Sequence, residues 1–201
     1  MSVPPRRLLA LPTEDTFHQM GAVTDADLVM LRPADGRWLV TAGVVCFPSG
    51  WSLPEKLGKA LEEIHDIVPG LNASLGERIN KFIAGLKPGY SWERINWGLS
   101  ATDQLSMHPN LKPQRLTPQT PAGQICLRLE MQSLTPLPKT GGLLFGIRIL
   151  NQPLNQLMED NMLRARFERA LRTMPEAVAA YKGIGGFREM ASKAHRTPAA
   201  T

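Results

Sequence analysis

The sequence predicts an α+β fold in which an antiparallel sheet carries helices inserted between its second and third strands. Two Val-rich apolar runs flank Pro33-Ala34-Asp35-Gly36, a pattern that is typical of a β-hairpin. The apolar period then changes to that of helices and later returns to the alternation of strands. The chain has 201 residues, 43% of them hydrophobic, which suffices for one domain with a buried core.

The hairpin strands are predicted at 27–31 and 37–47, and Pro48-Ser49-Gly50 ends the second. Apolar residues recur at helical spacing from Pro54 to Val68, which predicts the first inserted helix. A second helix is predicted at 73–86, because its apolar residues again recur three and four positions apart. The region between the hairpin and the rest of the sheet is therefore helical.

Three more strands are predicted at 90–99, 124–134 and 143–150, and helices follow them. The strand at 124–134 alternates most regularly, so its side chains divide into two sets, Ile125, Leu127, Leu129 and Met131 against Cys126, Arg128, Glu130 and Gln132. This element order is that of a PAS domain, a fold that cups a small ligand between the sheet and the inserted helices.

The same pattern divides the chain into four parts. Residues 1–24 are predicted to form an N-terminal arm, and residues 25–150 a PAS-like core. Residues 151–184 are predicted to be C-terminal helices packed on that core, and 185–201 a disordered basic tail.

Composition excludes several classes of protein. The net charge of +5 is scattered and forms no basic stripe with interleaved aromatics, so we expect no nucleic-acid partner. No apolar run is long enough for a transmembrane helix, and the N-terminal LLAL is too short for a secretory signal. Two cysteines fit a reducing compartment. We therefore expect a soluble, cytoplasmic protein without membrane partners.

His65 is the first candidate for chemistry. It follows Leu57 by eight residues and Leu61 by four, so it is predicted to share their buried helix face. A neutral imidazole that points toward the sheet is able to bind haem iron. A core histidine, or a cation at the helix C-terminus, explains the same position. Cys46 is a second possible ligand, although a cysteine in an apolar strand is usually packing.

Arg128, Glu130 and Arg148 form the second candidate group. Arg148 interrupts the apolar strand 143–150, and a hairpin closing around Pro138 places Arg128 opposite it. Two facing guanidinium groups require an anion, which is Glu130 or the carboxylates of a cofactor. We therefore predict that Arg148 points into the space between sheet and helices; an internal Arg–Glu pair is the alternative.

Motifs of other enzyme classes are absent. The sequence contains no GxSxG, Walker A, GxGxxG or HExxH pattern, so hydrolase, P-loop and Rossmann functions have no support.

Four segments together resemble a known family: VVCFPSGWSLPEKLGKALEEIHDIVPG, RINW, LRLEMQSLTPLPKTGGLLFGIRI and AAYKG. The sequence is similar, from Asp27 to Gly183, to the alpha-subunit-like proteins of the haem-dependent oxidative N-demethylases. The resemblance implies a PAS-like fold that holds haem b. It also implies oxygen-dependent oxidative N-demethylation of a small amine such as dimethylamine. Electrons would come from partner reductase subunits that carry FMN, a 2Fe-2S cluster and an NADPH site.

The resemblance also suggests site residues. The histidine of IHxxVPG falls on His65, the expected axial ligand of the iron. Arg128 and Arg148 are candidates for binding the cofactor, and Glu130 and Arg148 are candidates for catalysis in the distal pocket. Two other functions stay open, a non-enzymatic PAS-like haem or small-molecule sensor or accessory subunit, and a haem-free binding module.

Overall fold

The computed structural model describes residues 14–188, with side chains from His18 onward except Ser74 and Leu75. The predictions for residues 1–13 and 189–201 lie outside the described part of the chain. Within the predicted arm, Glu14–Val23 form helix α1, which packs on the first hairpin. At the other end, Phe187 packs against a hydrophobic core, so packed chain continues past the predicted boundary at residue 184.

The described strands form one antiparallel sheet. Their bounds are β1 Ala26–Ala34, β2 Arg37–Val44, β3 Trp92–Ser100, β4 Cys126–Leu137 and β5 Gly142–Pro153. The strand order is β2-β1-β5-β4-β3, so β2 and β3 are the edges. The predicted α+β architecture, with helices between the second and third strands, is confirmed.

The helices lie in two groups along the chain. Helices α2 (Leu61–His65) and α3 (Leu71–Ala84) connect β2 to β3. Helices α4 (Leu154–Glu159), α5 (Asn161–Thr173) and α6 (Glu176–Tyr181) follow β5. Asp160 caps α5, because its side chain accepts hydrogen bonds from the first backbone N–H groups of that helix.

Each face of the sheet has its own hydrophobic core. On the face that we call the inner face, Val29, Leu31 and Leu143 pack with Ile83 of α3. On the opposite, outer face, Leu99 and Leu127 belong to a core formed with α5, α6 and the residues that follow. Because side chains alternate along a strand, Arg128, Glu130 and Gln132 of β4 lie on the inner face and Leu127 and Leu129 on the outer face.

The first inserted helix is shorter than predicted, since α2 spans only five residues. The preceding segment pairs with β2 instead. Gly58 donates a backbone hydrogen bond to the Val40 carbonyl, and the Val40 N–H donates to the Lys59 carbonyl. Gly58 has a φ of 77°, a conformation that ends any helix there. Leu57 is therefore 44% exposed and shares no buried helix face with His65.

The predicted register of the β4–β5 hairpin is wrong. Leu137 pairs with Gly142, so the turn is residues 138–141 and not a point at Pro138. Gly141 has a φ of 65°, which suits the last position of this turn. Arg128 consequently lies opposite Asn151, and Arg148 lies opposite Met131.

Candidate cofactor site

His65 is the last residue of α2 and is half-buried. It lines a narrow cleft between α2 and α3 that is too tight to hold a water molecule. The other lining residues are Leu61, Glu62, Asn72, Gly76, Ile79 and Asn80. Glu62 lies three residues before His65, so their side chains are neighbours on one face of the helix.

The cleft around His65 contains acceptors that lack donors. Asn80 donates to Glu62 Oε1 at 2.5 Å, and Asn72 donates to the backbone carbonyl of Glu62 at 2.8 Å. Glu62 Oε2 and Asn72 Oδ1 are buried, and no donor within residues 14–188 reaches them. Buried acceptors without partners are rare in proteins, so a donor from ordered water, an ion or a ligand is expected to meet these two oxygens.

The surroundings of His65 favour its neutral form. Burial lowers the pKa of this imidazole, and the positive charge of Arg94 lowers it further, while Glu62 partly opposes both effects. A neutral imidazole keeps a nitrogen lone pair, which is the form that binds a metal ion.

A polar network crosses the inner face between β3 and β4. Arg94 donates from Nε to Gln132 Oε1 at 2.7 Å, and Gln132 donates to Glu130 Oε2 at 2.9 Å. Asn96 donates to the same Glu130 oxygen at 3.2 Å and accepts from the Lys182 ammonium at 3.1 Å. Glu130 Oε1 accepts no hydrogen bond from the described residues, so one carboxylate oxygen is available to a ligand.

Arg128 is buried on the same face, with 5% of its surface exposed. Its guanidinium donates to Ser49 Oγ at 2.9 Å and to three backbone carbonyls, those of Phe47 (3.1 Å), Gln104 (3.1 Å) and Leu105 (2.7 Å). These bonds join β4 to two connecting segments, before α2 and after β3. Burial lowers the Arg128 pKa, and the nearby carboxylates of Glu130 and Asp27 oppose that effect.

Asp27 supports the same region. Its Oδ1 accepts the backbone N–H groups of Cys46 (2.7 Å) and Phe47 (2.8 Å), whereas Oδ2 is buried without a described donor. Asp27 is only 1% exposed, and burial raises its pKa although these hydrogen bonds and Arg128 lower it. Cys46 thus has a structural place beside Asp27, and burial raises the pKa of its thiol.

Arg148 does not point into the space between the sheet and α2–α3, and that prediction is wrong. Because it pairs with Met131, its side chain lies on the outer face, opposite to that of Glu130. Its guanidinium is half-exposed and bonds Asp25 Oδ2 at 2.7 Å. It lines a shallow cavity of about 450 Å³ where β1 begins beside β5.

The structure thus brings Arg128 and Glu130 together on the inner face and separates Arg148 from them. Sequence reasoning missed Glu62 and Asn72, because nothing in a sequence shows that an acceptor lacks a donor. It also missed Lys182, although this residue belongs to the AAYKG segment that carried part of the resemblance. The sequence marked Lys182 only as a member of the AAYKG motif. Its contact with Asn96 joins two positions that are far apart in the chain, so no local pattern reports it.

The donor chemistry of this site suits haem. The lowered pKa of His65 favours a neutral imidazole, and Glu62 and Asn72, which line the same cleft, each have a buried oxygen of the kind that accepts the second ring N–H of a ligating histidine. Arg94 lies on the inner face and acts on His65 electrostatically, so a cation for a haem carboxylate is at hand. The cleft is too narrow to admit a water molecule, far below ligand pockets of about 300–1,000 Å³, so haem would enter only if α2 and α3 separated.

Fold and site together define an α+β protein whose antiparallel sheet and inserted helices surround a neutral histidine with unpaired acceptors beside it. Residues 3–192 match the family described as haem-dependent oxidative N-demethylase, alpha subunit-like. Because the match covers most of the chain, the protein belongs to this family. The family's name indicates dependence on haem and a subunit of a larger enzyme. Among the described helices, each is too short or too polar to cross a bilayer.

Proposed function

We propose that the chain is the haem b-binding subunit of an oxygen-dependent oxidative N-demethylase that acts on a small amine such as dimethylamine. Family membership supports this function, and the sheet order with helices between β2 and β3 supports a PAS-like fold for it. The observation that carries the proposal is the neutral, half-buried His65 beside acceptors without donors.

His65 is the residue that would bind the haem iron. Its second ring nitrogen would donate to Glu62 Oε2 or Asn72 Oδ1, which fixes the orientation and tautomer of the imidazole. When bound, haem supplies the activation of oxygen. The chain itself supplies the ligand, the orientation of the ring and a dry environment beneath α2.

Glu130 is the proposed contact for the amine. Asn96 and Gln132 fix its Oε2, so the free Oε1 has a defined position from which to accept an N–H of the substrate. In the overall reaction, an N-methylated amine, O₂, two electrons and two protons are converted to the demethylated amine, formaldehyde and water. Orienting the methyl group toward the reacting oxygen is the contribution expected of this carboxylate.

The roles of the two arginines as cofactor-binding residues stay predictions. The hydrogen bonds of Arg128 all go to the chain itself, and Arg148 is paired with Asp25 on the outer face. Arg94 is a further candidate for a haem carboxylate, because it lies on the inner face and acts on His65. Electrons would come from a reductase partner with FMN, a 2Fe-2S cluster and NADPH.

Reconstitution tests this function. Purified protein titrated with haem should develop a Soret band that saturates at about one haem per chain. The reconstituted protein, supplied with NADPH, a surrogate ferredoxin system, oxygen and dimethylamine, should release formaldehyde, and Glu130→Gln should lower that rate. Haem binding without formaldehyde would contradict the enzymatic function and favour a sensor or accessory subunit.

A further inference from the structure

The two edges of the sheet are treated differently. At the β2 edge, the segment 58–60 forms backbone hydrogen bonds with Val40, and Ala60 forms a bridge with Leu39. At the β3 edge, the described chain offers only the Lys182 ammonium, which donates to the Trp97 carbonyl at 2.6 Å. An unpaired edge is a template for pairing with another strand, and proteins usually cover or blunt it.

The open part of β3 also exposes apolar side chains. Trp92 is 55% exposed and Ile95 is 63% exposed. Because the Trp97 carbonyl points outward to Lys182, and backbone groups alternate in direction along a strand, those of Glu93 and Ile95 also point outward. The edge therefore presents both hydrogen-bonding groups and apolar surface to a partner strand.

We propose that β3 pairs antiparallel with β3 of a second copy of this chain, with the two-fold axis at Ile95. This register places Ile95 against Ile95 of the second copy and Arg94 against Asn96, so no like charges face each other. A two-fold axis at Arg94 would oppose two guanidiniums, and one at Glu93 would oppose two carboxylates, which destabilises a strand pair. Like-charge contacts therefore disfavour the registers centred on Glu93 and Arg94, and leave those centred on Ile95 and on Asn96.

The same register places Trp92 opposite Gly98 of the second copy. A Cβ built at Gly98 meets no atom within 4 Å, so the surface above this glycine is open. An aromatic side chain opposite a glycine is a favourable cross-strand pair, because the ring covers backbone that has no side chain of its own. Of the two registers without facing like charges, the one centred on Ile95 pairs Trp92 with Gly98, and this size complementarity selects it. The Trp97 carbonyl oxygen has two lone pairs, and Lys182 donates to one of them. The other lone pair is therefore open to the backbone N–H of Glu93 from the second copy.

Sedimentation of the full chain tests the proposal. Between about 1 μM and about 1 mM, we expect a reversible monomer–dimer equilibrium. Ile95→Lys should weaken dimerisation at least about tenfold, because it places two ammonium groups opposite each other. Ile67→Lys is the matched control, since Ile67 is 61% exposed and belongs to the turn between α2 and α3 and not to β3. A wild type that stays monomeric, or an Ile95→Lys protein that dimerises as well as wild type, overturns the proposal.

Cross-linking tests the register. Facing residues of a hydrogen-bonded antiparallel pair have Cα atoms about 5.5 Å apart, which suits a disulfide. Ile95→Cys should therefore form a disulfide-linked dimer when oxidised glutathione accepts the two electrons, whereas Ile67→Cys and the wild type should not. Equal cross-linking of Ile95→Cys and Ile67→Cys, or none at position 95, contradicts the register.

Amide hydrogen exchange separates a second copy from other occupants. The Glu93 and Ile95 amides should become more protected as the protein concentration rises. If these amides were protected to the same degree at every protein concentration, the chain's own terminal residues would be covering the β3 edge. That result would overturn the proposal. Protection that appears only when a reductase protein is added would do so as well.

Discussion

Arg128 and His65 both lie on the inner side of the sheet, but only the arginine has a side chain that is tied to the rest of the chain by several hydrogen bonds. Arg128 donates four hydrogen bonds to atoms of the chain itself. The cleft at His65 instead contains two buried oxygens without donors, on Glu62 and Asn72. Two further buried oxygens without described donors, Asp27 Oδ2 and Asn151 Oδ1, lie near Arg128, so unmet acceptors alone do not separate the two places. The four hydrogen bonds of the guanidinium do separate them, because they join β4 to two connecting segments. We therefore interpret Arg128 as structural and keep His65 as the proposed ligand.

Replacing Arg128 should have the largest effect on stability. Arg128→Met removes a buried cation and leaves three backbone carbonyls without their donor. We expect the free energy of unfolding to fall by about 3–5 kcal/mol, as measured by urea denaturation. A loss below about 1 kcal/mol would show that these hydrogen bonds are not what joins β4 to the connecting segments.

Glu62→Gln should weaken haem binding without a comparable loss of stability. The change removes the negative charge beside His65 but keeps an oxygen that accepts from Asn80. Loss of a hydrogen-bond partner of a ligating histidine typically lowers metal affinity about 10–100-fold. Haem titration measures the effect, and Glu77→Gln, on the exposed surface of α3, is the control. If the two variants bound haem with equal affinity, Glu62 would not be part of the haem site.

Asp27 should contribute a pH dependence of stability with a definite sign. Burial raises its pKa in the folded state above the value of 3.8 expected for the unfolded chain. Between the two pKa values the folded state binds more protons, so the free energy of unfolding falls as pH rises through this window. Asp27→Asn keeps the acceptor for Cys46 and Phe47 and removes the titration.

Urea denaturation of wild type and Asp27→Asn at several pH values from about 4 to about 7 measures this contribution. The stability difference between the two proteins should shift in favour of the asparagine variant as pH rises. A difference that stays constant across the range would show that Asp27 titrates as it does in the unfolded chain.

Arg148→Met should have the smallest effect. The ion pair with Asp25 is half-exposed, and surface pairs of this kind contribute about 0–1 kcal/mol. We expect near wild-type stability in urea and unchanged haem affinity. A loss of haem affinity greater than about threefold would show that Arg148 contributes to the cofactor site after all.

Local periodicity was enough to predict part of this site. The alternation of β4 correctly places Arg128, Glu130 and Gln132 on one face, because the period of two is a property of the strand alone. The position of Arg148 was mispredicted because it depends on a turn of residues 138–141, and a small change in turn length carries a side chain to the other face.

Elsewhere, contacts between residues that are distant in the sequence limited how well the structure could be predicted. The helix before His65 begins only at Leu61, because residues 58–60 pair with β2, and no local pattern reports that contact. The histidine still lies on a helix beneath the sheet because the stripe of Leu61 and Ile64 packs into the inner core. The acceptors without donors at Glu62 and Asn72 are visible only in three dimensions.

The most direct test of the account is a haem titration of His65→Ala beside His18→Ala, whose histidine is exposed on α1. The account predicts that His18→Ala develops the same Soret band and saturates at the same haem concentration as wild type. His65→Ala should lose the band or need at least about a hundredfold more haem. A His65→Ala protein with the spectrum and affinity of the wild type would contradict the assignment of His65 as the ligand.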